Sequence, residues 1–208
     1  MKSEYSDSYL IDLLSKQLAF FLVKKGEIEV IKSVFNDVIK RLNICFAANK
    51  NKYYSKNGLP YFNPFHSGQY CIFLYYLSNT IYINDVSNKT LCDKIYFLNR
   101  MLNCCDLFYE VNLPDVFMVD HPLGSVIGRG EIGNYFEFSQ GCTIGNNKGI
   151  YPKLGENVTM LSNSKIIGKS KIGNNVIIAA NTFIKDQNVP NNSIVFGSSP
   201  NLIFKKNK

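Results

Sequence analysis

The stretch "IGKSKIGNNVIIAANTFIKD", Ile167 to Asp186, carries an isoleucine at every sixth position, at 172, 178 and 184, and follows another isoleucine at 166. The residues between them are largely Gly, Asn, Ala, Lys and Ser. A helix repeats near 3.6 residues and a strand at 2, so neither element explains a period of six. The spacing is typical of a hexapeptide repeat, which predicts a parallel β-helix.

The same period extends towards the N-terminus over ten positions. They are Val126, Ile132, Phe138, Ile144, Leu154, Met160, Ile166, Ile172, Ile178 and Ile184. The register changes only between Ile144 and Leu154, which predicts an extended loop near 146–153. Each hexad predicts one short strand and one corner, and stacked coils share their stability. An antiparallel sheet with Asn/Gly turns is the alternative, but it would show period-two alternation over longer strands.

The N-terminal half has a different pattern, with apolar residues at helical spacing. Four helices are predicted, at about 10–22, 28–42, 67–80 and 88–105, the first two separated by Gly26. The Asn-, Gly- and Pro-rich segment 49–65 is interpreted as a loop. The sequence thus predicts an α+β protein, with an α-helical domain at 1–115 followed by a β-helix domain at 116–208.

Composition excludes several classes of protein. With 46% hydrophobic residues the chain has an ordinary globular composition, and the apolar run "LAFFLV" at 18–23 is far too short to span a membrane. The opening "MKSEYSDSYL" does not resemble a signal peptide, so a cytoplasmic protein is expected. The net charge of +7 comes from scattered lysines, which favours a solvated surface over nucleic-acid binding. Some of that charge is available to a phosphate-bearing cofactor.

The six cysteines indicate no metal or disulfide framework. They include no CxxC pair and no histidine at metal-ligand spacing, so they are expected to be reduced thiols and no metal site is predicted.

The segment "FMVDHPLGSVIGRGEIG", Phe117 to Gly133, with the Gly/Asn-rich coils after it, resembles the serine acetyltransferases and their relatives among left-handed β-helix acyltransferases. The order of a helical domain and a hexapeptide domain with one extended loop matches too. The resemblance implies a left-handed β-helix, acetyl-CoA as co-substrate, and a homotrimer or dimer of trimers with each cofactor between two chains.

In that family an Asp-His pair at the start of the repeat is catalytic, which implies Asp120 and His121 here. A neutral imidazole is a suitable base for a hydroxyl that attacks a thioester, and a neighbouring carboxylate can orient it if the backbone turns there. The alternative is that His121 only caps the first coil. The other histidine, His66, is interpreted as a capping or structural residue, with Ser67 as a good N-cap.

The family's second signature is Arg-His-Pro-Lys in the extended loop, where this chain has Ile150, Tyr151, Pro152 and Lys153. Both functional side chains are therefore absent. Tyr151 is interpreted either as a hydrogen-bond donor to the acceptor or the oxyanion, or as a packing residue at a subunit boundary.

Small residues in the late coils resemble those along which the family's coenzyme A arm lies, and later basic residues resemble those near its phosphates. The resemblance therefore implies cofactor contacts at Ser162, Ala179, Ala180, Lys185 and Lys205.

The departure at Ile150 leads to an expectation about the acceptor, because an amino acid's carboxylate favours a bidentate arginine. Aromatic side chains after His121 offer surfaces on which a sugar ring can stack, namely Tyr135, Phe136, Phe138 and Tyr151. The alternative is that they pack between the subunits of a trimer. Cytoplasmic acyltransferases that this sequence resembles often modify surface polysaccharides, so we expect an O-acetyltransferase acting on a surface glycan, in a capsule or lipopolysaccharide. A serine O-acetyltransferase is the alternative, and a non-catalytic trimeric scaffold is the second.

Overall fold

The computed structural model describes residues 1–49 and 51–207, so that Lys50 in the expected loop and Lys208 in the expected β-helix domain lie outside it. The chain forms two compact units, Met1–Asn103 and Cys104–Lys208.

The N-terminal unit is built from four helices. They are α1 (Asp7–Ala19), α2 (Lys25–Ala47), α3 (Ser67–Asn84) and α4 (Lys89–Asn103). Helix α1 buries Leu10, Leu14 and Leu18, one side chain per turn, as expected of a helix with one apolar face. Helix α3 is buried from Gly68 to Ile81 and forms the centre of the unit. Buried residues, four of them polar, therefore occupy every side of α3 rather than a single stripe.

Three details of this unit differ from the sequence predictions. Gly26 does not separate the helices, because α2 begins at Lys25 and the side chain of Glu27 accepts a hydrogen bond from the Lys24 N–H at 2.7 Å. The expected loop contains an antiparallel pair, β2 (Ser55–Lys56) and β3 (Leu59–Phe62), and β3 also pairs with β1 (Lys2–Ser3). The N-cap of α3 is His66 rather than Ser67, since the Gln69 N–H donates to the His66 Nδ1.

The C-terminal unit is a parallel β-helix of about five coils, which confirms the predicted fold class. Its first face holds β5 (Phe117–Val119), β8 (Phe136–Phe138), β11 (Val158–Met160), β14 (Val176–Ile178) and β16 (Ser193–Ser198). Its second face holds β4 (Asp106–Leu107), β6 (Val126–Ile127), β9 (Thr143–Gly145), β12 (Lys165–Ile167) and β15 (Phe183–Lys185). Its third face holds β7 (Glu131–Ile132), β10 (Lys153–Leu154) and β13 (Lys171–Ile172). A last strand, β17 (Asn201–Lys206), pairs antiparallel with β16.

Three corners join the faces, and each is a column of stacked turns. The histidine corner follows the first face and comprises 120–125, 139–142, 161–164 and 179–182. The loop corner follows the second face and comprises 128–130, 146–152, 168–170 and 186–188. The asparagine corner follows the third face and comprises 133–135, 155–157, 173–175 and 190–192.

The repeat positions fill the core, with one exception. Eight of the ten, from Phe138 onwards, are buried, and Ile132 is half-buried. Val126 is 43% exposed, whereas its neighbour Ile127 is 1% exposed and pairs in register with the core residue Ile144. The expectation for Val126 is therefore wrong, because only five positions separate Ile127 from Ile132 and the strict period of six slips by one residue there.

The asparagine corner has a regular backbone conformation. Asn157, Asn175 and Asn192 all have φ near +55°, in the left-handed region that asparagine tolerates better than most residues. Their side chains form a ladder between coils, in which the Asn157 Nδ2 donates to the Asn175 Oδ1 at 3.0 Å and the Asn175 Nδ2 donates to the Asn192 Oδ1 at 2.9 Å. The amides thus satisfy one another along this corner.

Candidate active site

His121 lies in a two-residue insertion in the histidine corner. Eight positions separate the core residues Val119 and Ile127, where six separate Phe138 from Ile144 in the next coil. Backbone hydrogen bonds locate the extra residues, since the Asp120 N–H donates to the Phe138 carbonyl and the Gly141 N–H donates to the Leu123 carbonyl. His121 and Pro122 are therefore the additional pair, of which His121 is exposed and Pro122 is buried.

The insertion turns the backbone and extrudes the imidazole. His121 has φ +49°, and its side chain is 84% exposed. Its Nε2 lies 3.8 Å from the Asp120 Oδ1, which is too long for a hydrogen bond but close enough for a charge interaction when the ring is protonated. The geometry therefore presents an accessible base with a carboxylate beside it.

A second carboxylate, which the sequence reasoning missed, lies on the outer side of the first face. Glu137 pairs in register with Met118 of β5 and Thr159 of β11, and it is half-buried. Burial raises the pKa of Glu137 above its usual value, and the negative charge of Asp120 raises it further. The signal was the pattern Phe-Glu-Phe at 136–138, which places an acid on the outside of a core strand.

Two of the small residues assigned to the cofactor stack in the same corner as His121. The Asn163 N–H donates to the Gln140 carbonyl at 2.8 Å, and the Asn181 N–H donates to the Ser162 carbonyl at 2.9 Å. Ser162 and Ala180 therefore occupy equivalent positions in successive coils. Ala180 is exposed, whereas Ala179 beside it is buried. Ser162 and Ala180 thus leave the backbone open to a ligand at these two positions, whereas Leu161 beside Ser162 is 40% exposed in the same column.

The two lysines assigned to the cofactor phosphates are not brought together. The Lys185 N–H donates to the Ser199 Oγ at 3.0 Å, just beyond the end of β16, and Lys185 lines a shallow pocket with Asp186. Lys205 pairs with Ile194, near the start of β16. Five extended residues separate Ile194 from Ser199, a distance of about 16 Å at about 3.3 Å per residue.

Tyr151 lies in the loop corner, in the extended loop 146–152. Asn147 and Ile150 exchange two backbone hydrogen bonds of 3.0 Å around Lys148 and Gly149, which both have positive φ, as in a two-residue hairpin turn. Tyr151 is half-buried, and the Asn146 Nδ2 donates to its hydroxyl at 3.5 Å. Within one chain the second face lies between His121 and Tyr151, so a single chain does not bring them together.

The structure also removes part of the expected sugar-stacking surface. Phe136 and Phe138 are fully buried inside the β-helix, where they stack on each other with centroids 5.6 Å apart. They are unavailable to a ligand, because their alternation in β8 points both rings inward. Tyr135 is 47% exposed.

Within residues 1–49 and 51–207, no group of three or more His, Cys, Asp or Glu side chains is arranged to hold a metal ion. Over the same residues, none of the helices has the length and apolar character needed to cross a membrane.

Comparison with known proteins identifies the repeat and its relatives. The bacterial transferase hexapeptide family (six repeats) matches residues 151–186. The serine acetyltransferase of Staphylococcus epidermidis strain RP62A is 29% identical over 135 residues, which are 59% of this chain and 63% of that protein. The chain thus spans less than two thirds of this relative.

Solved serine acetyltransferases share the fold. The enzyme from Neisseria gonorrhoeae in complex with serine superposes with a TM-score of 0.76 at 22% identity, covering 96% of this chain and 84% of that one. The enzyme from Brucella abortus strain S19 in complex with coenzyme A superposes with a TM-score of 0.71 at 17% identity, covering 98% and 83%.

These comparisons correct the expected function. The relatives and structural neighbours are serine acetyltransferases, so the expectation of a glycan-modifying enzyme is wrong, and the serine acetyltransferase alternative is favoured. The C-terminal unit carries the bacterial transferase hexapeptide repeat at residues 151–186 and is similar in fold to solved serine acetyltransferases.

Proposed function

We propose that this protein transfers the acetyl group of acetyl-CoA to the hydroxyl of L-serine. The observation that carries the proposal is the insertion in the histidine corner, which exposes His121 in the same column as Ser162 and Ala180. The sequence similarity to serine acetyltransferases supports the choice of reaction.

In the proposed mechanism the neutral imidazole of His121 removes the proton from the serine hydroxyl as its oxygen attacks the thioester carbonyl. A backbone N–H of the histidine corner donates to the oxyanion of the tetrahedral intermediate. The carbon–sulfur bond then breaks, and the imidazolium returns the proton to the coenzyme A thiolate. Asp120, 3.8 Å away, stabilises the imidazolium while it exists.

Acetyl-CoA would lie along the histidine corner, where the small side chains of Ser162 and Ala180 leave the backbone accessible. Lys185 lines a pocket with Gln187 and Ser199 and is proposed to meet a phosphate. Ala179 would contribute through its backbone, since its side chain is buried. Lys205, which lies opposite Ile194 near the start of β16, is also proposed to meet a phosphate.

L-Serine presents an ammonium and a carboxylate beside its hydroxyl. The carboxylates of Asp120 and Glu137 are suited to the ammonium, because opposite charges near a half-buried site attract strongly. Ile150 cannot bind the serine carboxylate, so the hydroxyl of Tyr151 is proposed as a donor to this group or to the oxyanion.

A complete site needs more than one chain, because His121 and Tyr151 lie at different corners. A neighbouring β-helix that packs beside the histidine corner would bring its own Tyr151 to the first chain's His121. We propose a homotrimer or a dimer of trimers. Sedimentation under assay conditions measures this directly, and an active monomer would contradict it.

A cytoplasmic location is proposed together with the reaction. Six free cysteines, five of them buried, are compatible with a reducing compartment.

The proposal is tested by release of coenzyme A thiol from acetyl-CoA in the presence of L-serine, with O-acetylserine identified by mass spectrometry. We expect saturable turnover with a KM between about 1 μM and 1 mM. His121→Asn should lower kcat by about 10² to 10⁴, the usual contribution of a general base. His66→Asn is the matched control, since asparagine is a good N-cap and should preserve both the start of α3 and the activity. Normal turnover by the His121 variant would refute the assigned role.

A non-catalytic trimeric scaffold is the second candidate. It is favoured by the absence of a hydrogen bond between Asp120 and His121 and by Ile150 in the loop. Calorimetry distinguishes the two, because a scaffold would bind neither acetyl-CoA nor L-serine at millimolar concentration.

A further inference from the structure

We infer that Asp186 is a positioning residue that holds the extended loop 146–152, and with it Tyr151, in place for the acceptor. The inference rests on the proposed function, and it adds a residue that belongs to neither the catalytic pair nor the loop itself.

The loop is joined to the β-helix at its C-terminal end, where Pro152 is buried and its carbonyl accepts a hydrogen bond from the Glu131 N–H at 3.2 Å. The loop contains seven residues between β9 and β10, whereas the equivalent corners 128–130 and 168–170 contain three each. Its turn is closed internally by the two hydrogen bonds between Asn147 and Ile150. These bonds shape the hairpin, but they do not fix its direction relative to the coils.

Asp186 provides that attachment from a later coil. Its Oδ2 accepts a hydrogen bond from the Asn147 Nδ2 at 2.5 Å, and its Oδ1 accepts one from the Lys169 N–H at 2.7 Å. The carboxylate therefore joins the loop to the turn of the intervening coil. The Lys169 N–H is also the main cause that lowers the pKa of Asp186, so the carboxylate is ionised at neutral pH.

Gly168, in the coil between the loop and Asp186, leaves room for the contact between Asp186 and Asn147 because it has no side chain. Gly168 has φ +72°, and a Cβ placed on it would lie 2.0 Å from the Asp186 Oδ1 and 2.8 Å from the Asn147 Cβ. Only glycine allows the Asp186 side chain to reach the loop across this position. Asp186 itself has φ +51°, an uncommon conformation outside glycine that directs its short side chain towards the loop.

The attachment leads directly to Tyr151. Asn147 is held by Asp186, and the preceding residue, Asn146, donates to the Tyr151 hydroxyl. The strands on either side do not depend on Asp186, because β9, β12 and β15 pair through their own backbones. Loss of the carboxylate should therefore free the loop while the β-helix remains folded.

The test compares Asp186→Ala, Asp186→Asn and the control Asp37→Asn, which changes an exposed aspartate in α2. Hydrogen exchange of residues 146–152, followed by mass spectrometry, should be faster in Asp186→Ala and unchanged in the control. The KM for L-serine should rise about tenfold or more, because misplacing a site element by about 1 Å is costly. The KM for acetyl-CoA should not rise, because Asp186 lines the same pocket as Lys185 and its loss only removes a negative charge beside the proposed phosphate contact. Asp186→Asn should largely restore both values, since its amide can still accept from Lys169 and donate to a flipped Asn147.

Unchanged exchange in Asp186→Ala would overturn the inference whatever the kinetics. Faster exchange with an unchanged KM for L-serine would also overturn it, because the loop would then be held without serving the acceptor. If the wild-type protein does not acetylate L-serine at all, the proposed function fails, and the exchange measurement alone decides whether Asp186 holds the loop.

Discussion

The Nε2 of His121 lies 3.8 Å from the Oδ1 of its chain neighbour Asp120, and both side chains face solvent in the single chain. An exposed pair of this kind contributes about 0 to 1 kcal/mol, because water screens the charges. Asp120 therefore stabilises a protonated His121 only weakly, unless a neighbouring chain in the oligomer buries the pair.

Replacing Asp120 by Asn tests how well the pair is shielded. If the pair of Asp120 and His121 stays exposed to water in the oligomer, kcat/KM should fall by about fivefold or less, the equivalent of about 1 kcal/mol. Steady-state kinetics on the oligomer measure this loss. A hundredfold loss would instead show that a neighbouring chain buries the pair and strengthens it.

Replacing Glu137 by Gln should stabilise the protein at pH 7.5. The folded-state pKa of Glu137 is raised above its ordinary 4.5, chiefly by burial, so the folded protein binds this proton more tightly than the unfolded chain does. Its contribution to stability is full below the unfolded-state pKa and is lost as pH rises through the folded-state pKa. Denaturant unfolding should therefore favour the Gln variant at pH 7.5, with a much smaller difference at pH 4. An equal difference at both pH values would contradict this.

Two glycine-to-alanine changes should have opposite effects. A Cβ on Gly133 would lie 2.5 Å from the carbonyl oxygen of Gly155, so the coils would have to separate, at a cost of about 1 to 3 kcal/mol or more. A Cβ on Gly26 meets nothing within 4 Å in the first turn of α2, so Gly26→Ala should stabilise by up to about 1 kcal/mol. Thermal unfolding of both variants measures the contrast, and equal melting temperatures would refute it.

Asn175 should show separate contributions from its backbone and its amide. Asn175→Gly keeps the left-handed conformation and loses the two side-chain hydrogen bonds, while Asn175→Ala also acquires a strained φ that costs about 1 to 2 kcal/mol. The expected order of stability is wild type, then Gly, then Ala. An Ala variant as stable as the Gly variant would show that the corner relaxes.

The sequence predicts the β-helix well because each coil repeats one physical requirement. Ile166, Ile172, Ile178 and Ile184 all fill the same narrow interior, so their spacing reports the fold directly. Val126 was misassigned because Ile127 and Ile132 lie five rather than six positions apart, which leaves the strands intact and only shifts which side chain points inward. The hairpin of β2 and β3 was missed because strands this short carry too few residues to show alternation.

The site was less predictable than the fold. Its residues belong to insertions and outward-facing positions, which the repeat pattern of core residues does not specify. His121 was found through a family resemblance, but the insertion that exposes it is apparent only from the backbone pairing of Asp120 and Leu123. Glu137 and Asp186 were missed, since an outward-facing acid on a strand or corner is ordinarily solvated. Their roles depend on neighbours that lie 17 to 39 residues away in the chain.

Strand β17 runs antiparallel to β16, and β16 covers parts of both the first and the second face. A parallel β-helix grows by placing each new strand in the same direction on the one before. A reversed strand at this end breaks that pattern, so a second molecule cannot continue the coils from here as a fibre would. The additions to the repeat of this chain lie within the stack instead, where corners are lengthened at His121 and at the loop that contacts Asp186.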